Sequence, residues 1–253
     1  NGATIALDRP LEKMHRSEEG LRSEVALLDR NIEIQGVGNG LGAYVRGINR
    51  ASIGLRNTEL SALGRKGVAG QYPLMLDGVT NPLVASSVIK DNGNRCVTLR
   101  QTMGAEISDN VAINTYGHCF ATEDGAEINN VFSGNLVARV RGGALPGDGT
   151  PAAFLFRNPD NFVERNVAVG ADGFGFWYLL SNDATTNAGV RLHPREAKLG
   201  SFTENAARSN AKIGLYVDDG KGSGDYIPEA KAVFYGLTSV LNGERGFWIR
   251  GVH

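Results

Sequence analysis

Residues 104–125, GAEISDNVAINTYGHCFATEDG, decide the fold. Two short apolar runs, Val111-Ala112-Ile113 and Cys119-Phe120-Ala121, are set off by Asn, Asp and Gly. The arrangement then returns. Asn110-Val111-Ala112 is echoed by Asn135-Leu136-Val137, Asn166-Val167-Ala168 and Asn205-Ala206-Ala207. Every echo but the second is followed within about ten residues by Gly and an aromatic or aliphatic run. These runs are Gly117-His118-Cys119-Phe120, Gly175-Phe176-Trp177-Tyr178 and Gly214-Leu215-Tyr216-Val217, and Gly246-Phe247-Trp248-Ile249 looks like one more. Recurrence at twenty to forty residues marks a solenoid.

Packing explains why such a sequence coils. Each short strand turns alternate side chains inward, and one coil cannot bury its apolar face without neighbours. Asn at a repeated corner tolerates left-handed backbone angles and can hydrogen-bond from rung to rung. The expected fold is all-β, a right-handed parallel β-helix with loops inserted at its corners. The echo spacing stretches from 25 to 39 residues because of excursions at 141–150 (RGGALPGDGT), 181–200 and 218–227 (DDGKGSGDYI).

Composition fits one elongated domain of 253 residues with 42% hydrophobic content. A net charge of -1 argues against a nucleic-acid surface, and no apolar run is long enough to span a bilayer. The 34 Gly against 8 Pro suit many tight turns. The Gly-rich stretch at 36–47 matches neither phosphate-loop motif and reads as a turn. SEVALLDRNIEIQG (23–36) holds two β-type runs and reads as entry into the solenoid. Residues 1–22 read as an entry segment or the end of a preceding β domain. Residues 23–253 read as the β-helix, continuing past His253 as part of a longer chain.

Cys96 and Cys119 lie 23 residues apart, about one coil. SVIKDNGNRCVTL (87–99) aligns with NVAINTYGHCFAT (110–122) at that offset. Rungs stack ~4.8 Å apart, within reach of a disulfide. A bond and a reduced, buried pair both fit.

EVALLDRNIEIQG (24–36), YGHCFATEDG (116–125), RNPDNFVERNVAVGADGFGFWYLL (157–180) and SFTENAARSNAKIGLY (201–216) keep a recognisable order. Together they resemble the β-helix region of the fibrocystin-like family, which includes hyaluronan-degrading proteins related to the cell-migration-inducing hyaluronidase. The resemblance runs from about residue 3 to residue 220. It implies an extracellular or cell-surface protein of the secretory pathway, with the β-helix following an eight-glycine β domain. One departure stands out. Met75 and Asp77, in Gln71-Tyr72-Pro73-Leu74-Met75-Leu76-Asp77, occupy positions where the family often shows two His.

Several residues are candidates for chemistry. His118, Glu123 and Asp124 fall around one corner, where imidazole and carboxylates can act as acid and base or hold calcium. Asp172 precedes the aromatic strand, and stacked coils could set it against Glu123 or Asp124 as the two carboxyls about 5–10 Å apart that glycoside hydrolysis uses. Alternation places Phe176 and Tyr178 on one strand face and Trp177 on the other. Trp177, Tyr178 and Arg95 are candidate ligand contacts. Asp218, Asp219 and Asp225 could hold calcium, the one cofactor left open. Two functional readings follow. One is a structural, adhesive or glycan-binding solenoid of a larger protein, whose partners are polysaccharide, other extracellular proteins and the rest of its own chain, not nucleic acid or membrane. The other is the β-helix of a hyaluronan hydrolase.

Overall fold

The structure, a computed structural model, describes residues 23–37, 42–218 and 226–250. The chain winds through three parallel sheets in a fixed cycle. Sheet A stacks eight strands, from Ile32–Gln35 through Val88–Lys90, Val111–Tyr116 and Leu136–Arg141 to Thr238–Val240. Sheet B stacks eight, from Val45–Ile48 through Leu74–Asp77, Val97–Arg100, Phe120–Thr122, Ala152–Phe156 and Phe174–Tyr178 to Arg245–Ile249. Sheet C stacks seven, from Gly54–Arg56 to Phe234–Tyr235. This is a parallel β-helix, as the spacing predicts. Residues 1–22, read above as an entry segment or the end of a preceding β domain, and the candidate calcium ligands Asp219 and Asp225 lie outside the described residues.

The Asn echoes form the ladder at the corner between sheets C and A. Asn110 donates its backbone N–H and its Nδ2 to Asn135 Oδ1, at 3.1 and 3.0 Å. Asn135 does the same to Asn166, and Asn166 to Asn205. Each Nδ2 also donates back to a strand carbonyl one coil earlier, as Asn135 does to Ile107 O at 2.8 Å. All four side chains are fully buried. Every buried amide group thus finds a partner, which is what makes Asn tolerable inside. The left-handed residue is not the Asn itself but the one before it: Asp109, Gly134, Arg165 and Glu204 have positive φ. The preceding residue turns the corner, and this leaves Asn free to point into the core.

Inside, the aromatic runs stack by rung. Phe120, Phe154 and Phe176 are in register, with ring centroids 5.5 and 4.9 Å apart. The partner run missing after Asn135 is Ala152–Phe156, displaced by the loop at 142–151. The same register shifts Gly117 out of the Gly column: Gly175, Gly214 and Gly246 align with Cys96, Cys119 and Ala153. A Cβ on Gly214 would sit 2.5 Å from Gly246 O, so this column takes only small side chains or a disulfide. Cys96 and Cys119 form that disulfide, with Cα atoms 4.5 Å apart.

Ser23–Arg30 forms no strand, although its first apolar run is β-type in composition. It crosses the outer face of sheet A instead. Glu24 pairs with Arg208 at 2.7 Å, and Arg30 Nε donates to Ser86 O at 2.7 Å. Ala26 and Leu28 turn toward the sheet while Val25 and Leu27 face solvent. Among the described residues this segment, unlike Ile32–Gln35, pairs with no strand, because it crosses the coils.

Candidate functional site

The outer face of sheet B collects most of the candidate residues. One outward column runs Arg46, Met75, Thr98, Ala121, Leu155, Trp177, Tyr216 and Trp248 along successive coils. Its first half is crossed by charge and its second half is aromatic.

The charged half is a continuous network. Asp148, from the loop at 142–151, receives Arg95 Nε at 2.9 Å and Nη2 at 2.7 Å. His118 Nε2 faces the same carboxylate at 3.3 Å. Arg95 Nη1 lies 3.6 Å from Glu123, and the Tyr72 hydroxyl donates to Glu123 Oε1 at 2.8 Å. Arg95 also lies over the Tyr72 ring, 5.4 Å from its centroid. Tyr72 and Arg95 start near the entry of their rungs, and Glu123 lies just past the exit of its own. The network therefore spans the face, above Met75 and Thr98, which are 2% and 0% exposed.

His118 does point outward, opposite Cys119, but it is only 3% exposed. Its Nδ1 accepts the Ala152 N–H at 3.0 Å, so the proton sits on Nε2, toward Asp148. Burial, reinforced by the Arg95 cation, pushes its pKa down to about 3. Histidine in this state is a neutral strut, not a proton shuttle near neutral pH. Burial pushes the Asp148 carboxyl up, but the Arg95 fork and His118 outweigh it and hold it below the usual range. Burial pushes the Tyr72 phenol up to about 12 against the Arg95 cation, with the Glu123 carboxylate adding to the rise.

Glu123 is the carboxylate of this network that remains open to solvent, at 28% side-chain exposure against 1% for Asp148. Asp124 turns away, accepting the Ala126 N–H and Gln101 Nε2. It is coupled to Glu127, whose carboxyl burial pushes well up, with the Asp124 charge adding to it. Asp172 accepts the Gly142 N–H at 3.1 Å at the entry of its rung. Seven residues along the strand separate it from the level of Glu123, roughly 20 Å, so the expected Glu123–Asp172 pairing does not form. Neither acid shares the Glu123 network.

The aromatic half begins at Trp177, whose ring is 5.8 Å from His118. Phe174, Trp177 and Tyr216 pack on one another at 4.7 to 5.8 Å, and Trp248 follows Tyr216 on the next coil. Arg245 lies over the Trp248 ring at 4.5 Å. Tyr178, in contrast, is in the core and 1% exposed, so it cannot contact a ligand from outside. Asp218 accepts Trp248 Nε1 at 3.1 Å and pairs with Arg250 at 3.0 Å. Among the described residues no group of three or more His, Cys, Asp or Glu is placed to hold a metal ion. Met75 is buried in the outer column and Asp77 pairs with Arg46.

Asp148, Arg157 and the partnership of Tyr72 with Glu123 escape sequence reasoning. Asp148 is the one acid of its loop, and the loop's insertion on one face was the available signal. No spacing rule reaches the 53 residues from Arg95 to Asp148.

A family model described as CEMIP beta-helix matches residues 40–215. The chain is 28% identical to the cell surface hyaluronidase of Danio rerio, over 91% of its own length. It is 26% identical to the cell migration-inducing and hyaluronan-binding protein of Homo sapiens over 89%, and 29% identical to fibrocystin-L of Homo sapiens over 83%. It spans 23%, 21% and 5% of those relatives' own lengths.

Proposed function

The chain belongs to the CEMIP beta-helix family, and from that premise we propose that it is the polysaccharide-binding solenoid of a larger cell-surface protein. The polymer lies along the helix axis on the outer face of sheet B. One observation carries this reading: Trp177, Tyr216 and Trp248 occupy one outward column on three successive coils. Aromatic side chains offer flat apolar area with a polar edge, suited to the faces of sugar rings. Charged groups alongside, Arg95, Glu123 and Arg157, supply oriented polar contacts, the usual division of labour in a binding site. Relatives named for hyaluronan support this polymer as the first ligand to test. The Cys96–Cys119 disulfide supports an oxidising, secretory location.

Hydrolysis is the second reading, favoured by Glu123 alone. Its part-exposed carboxylate, oriented by Tyr72 and Arg95, fits a general acid or base. A second carboxyl is harder to supply, because Asp148 is locked by Arg95 and His118.

Affinity electrophoresis in gels cast with hyaluronan tests the binding reading. The protein is expected to be retarded, and Tyr216→Ala with Trp248→Ala to relieve the retardation. Equal mobility with and without polymer would sink it. Shortening of the polymer by wild-type protein, abolished by Glu123→Gln, would establish the hydrolytic reading.

A further inference from the structure

Among the described residues Arg157 is a cation with no carboxylate in direct contact. Register places it beside Glu123 on the next coil, and its backbone N–H donates to Thr122 Oγ1 at 2.7 Å. A guanidinium carries five N–H donors. Here Nε is buried with no partner, and Nη1 reaches only Leu179 O, at 3.5 Å, the long limit for such a bond. Among the described residues no carboxylate lies within ion-pair distance of it. Glu123, the natural partner, is drawn instead to Tyr72 and Arg95.

Such an arrangement is unfavourable unless something completes it. A buried charge costs free energy without a partner. Burial and then the neighbouring Arg95 cation hold Arg157 below the ordinary guanidinium value, against the opposing pull of the more distant Glu127, Glu123 and Asp148 carboxylates. The residue is nevertheless part-exposed, so a solute can reach the outer end of its guanidinium, though not the buried Nε. Trp177 lies one coil further on, in the adjoining column.

We infer that Arg157 is the anion-reading residue of the sheet B face, taking the carboxylate of a uronic acid unit. This rests on the polysaccharide reading above and adds the residue that tells an acidic polymer from a neutral one. The planar guanidinium fork matches a carboxylate in two-pronged geometry, which a lysine ammonium does not. Glu123 beside it repels a misplaced anion and confines the carboxylate to the Arg157 side.

The test compares hyaluronan with carboxyl-reduced hyaluronan of equal length, on wild type, Arg157→Met and Arg157→Lys. For hyaluronan, Arg157→Met is expected to weaken binding about tenfold or more, the worth of a hydrogen-bonded charge pair. Arg157→Lys is expected to fall between. Carboxyl-reduced polymer is expected to bind wild type and Arg157→Met alike. Circular dichroism checks the fold. Should Arg157→Met not fold, sodium glucuronate against glucose on wild type decides, since only glucuronate should raise Tm. Equal hyaluronan binding by wild type and Arg157→Met, or equal Tm with both sugars, overturns this assignment while leaving the polysaccharide reading intact. Failure of wild type to bind either polymer overturns both.

Discussion

Arg95 grips Asp148 with two parallel hydrogen bonds, Nε to Oδ2 at 2.9 Å and Nη2 to Oδ1 at 2.7 Å. The carboxylate is 1% exposed and also faces His118. The two basic residues immediately precede Cys96 and Cys119, so the disulfide fixes them on adjacent rungs. A loop residue is thereby clamped to the solenoid wall, and the free arm of Arg95 is aimed at Glu123.

Removing one partner of a buried ion pair strands the other. Asp148→Asn is therefore expected to destabilise by about 3–5 kcal/mol. At about 2–4 °C per kcal/mol for a domain of this size, thermal melts should show a fall of roughly 6–20 °C. A melt within a degree or two of wild type would mean that the clamp carries little of the stability.

His118 sets a pH dependence. Unfolded, its imidazole takes a proton below about 6.5; folded, it does so only near 3. Unfolding takes up a proton across that window, so stability falls as pH drops from about 6.5 towards 3. The slope from this group approaches about 1.4 kcal/mol per pH unit. His118→Asn, whose carbonyl oxygen can still accept the Ala152 N–H, should flatten that limb in denaturant titrations. Parallel curves for the two proteins would count against a buried neutral histidine.

Asn135 is the middle of the Asn ladder. Asn135→Ala removes the acceptor for two Asn110 donors and the donor to Ile107 O. Unsatisfied buried groups cost about 1–3 kcal/mol each, so a loss of roughly 3–5 kcal/mol is expected in urea titrations. Asn135→Asp keeps the acceptor but buries an unpaired carboxylate against the Ile107 and Asn166 oxygens, and should cost at least as much as Asn135→Ala.

The parallel coil was legible in the sequence because its signals are local: Asn110, Asn135, Asn166 and Asn205 repeat, and Cys96 and Cys119 sit one coil apart. The inward position of Tyr178 follows from alternation, yet its aromatic type suggested a ligand contact, and burial decides against that. The clamp was not legible, since Asp148 reaches Arg95 only after its loop folds back. Asp172 misled for the opposite reason. It is close in sequence to the aromatic strand but stands at that strand's entry, while Glu123 stands at the exit of its own.

Cys96 and Cys119 are fully buried, so reductant should not reach them before unfolding. Alkylation and mass spectrometry of native protein in dithiothreitol should find no modified thiol, and two after denaturation. Replacing both by Ala, which opens the 23-residue link, should cost about 3 kcal/mol. Prompt labelling of native protein would place the bond elsewhere than in the core.

The chain's two tryptophans, Trp177 and Trp248, both lie on the outer face of sheet B. Intrinsic fluorescence therefore reports directly on the surface assigned to the polymer. Titration with hyaluronan oligosaccharides is expected to change the emission saturably, with most of the change lost in Trp248→Phe combined with Tyr216→Ala. An emission spectrum that stays flat while an independent assay shows the sugar bound would contradict the account, because the ligand would then lie on another face.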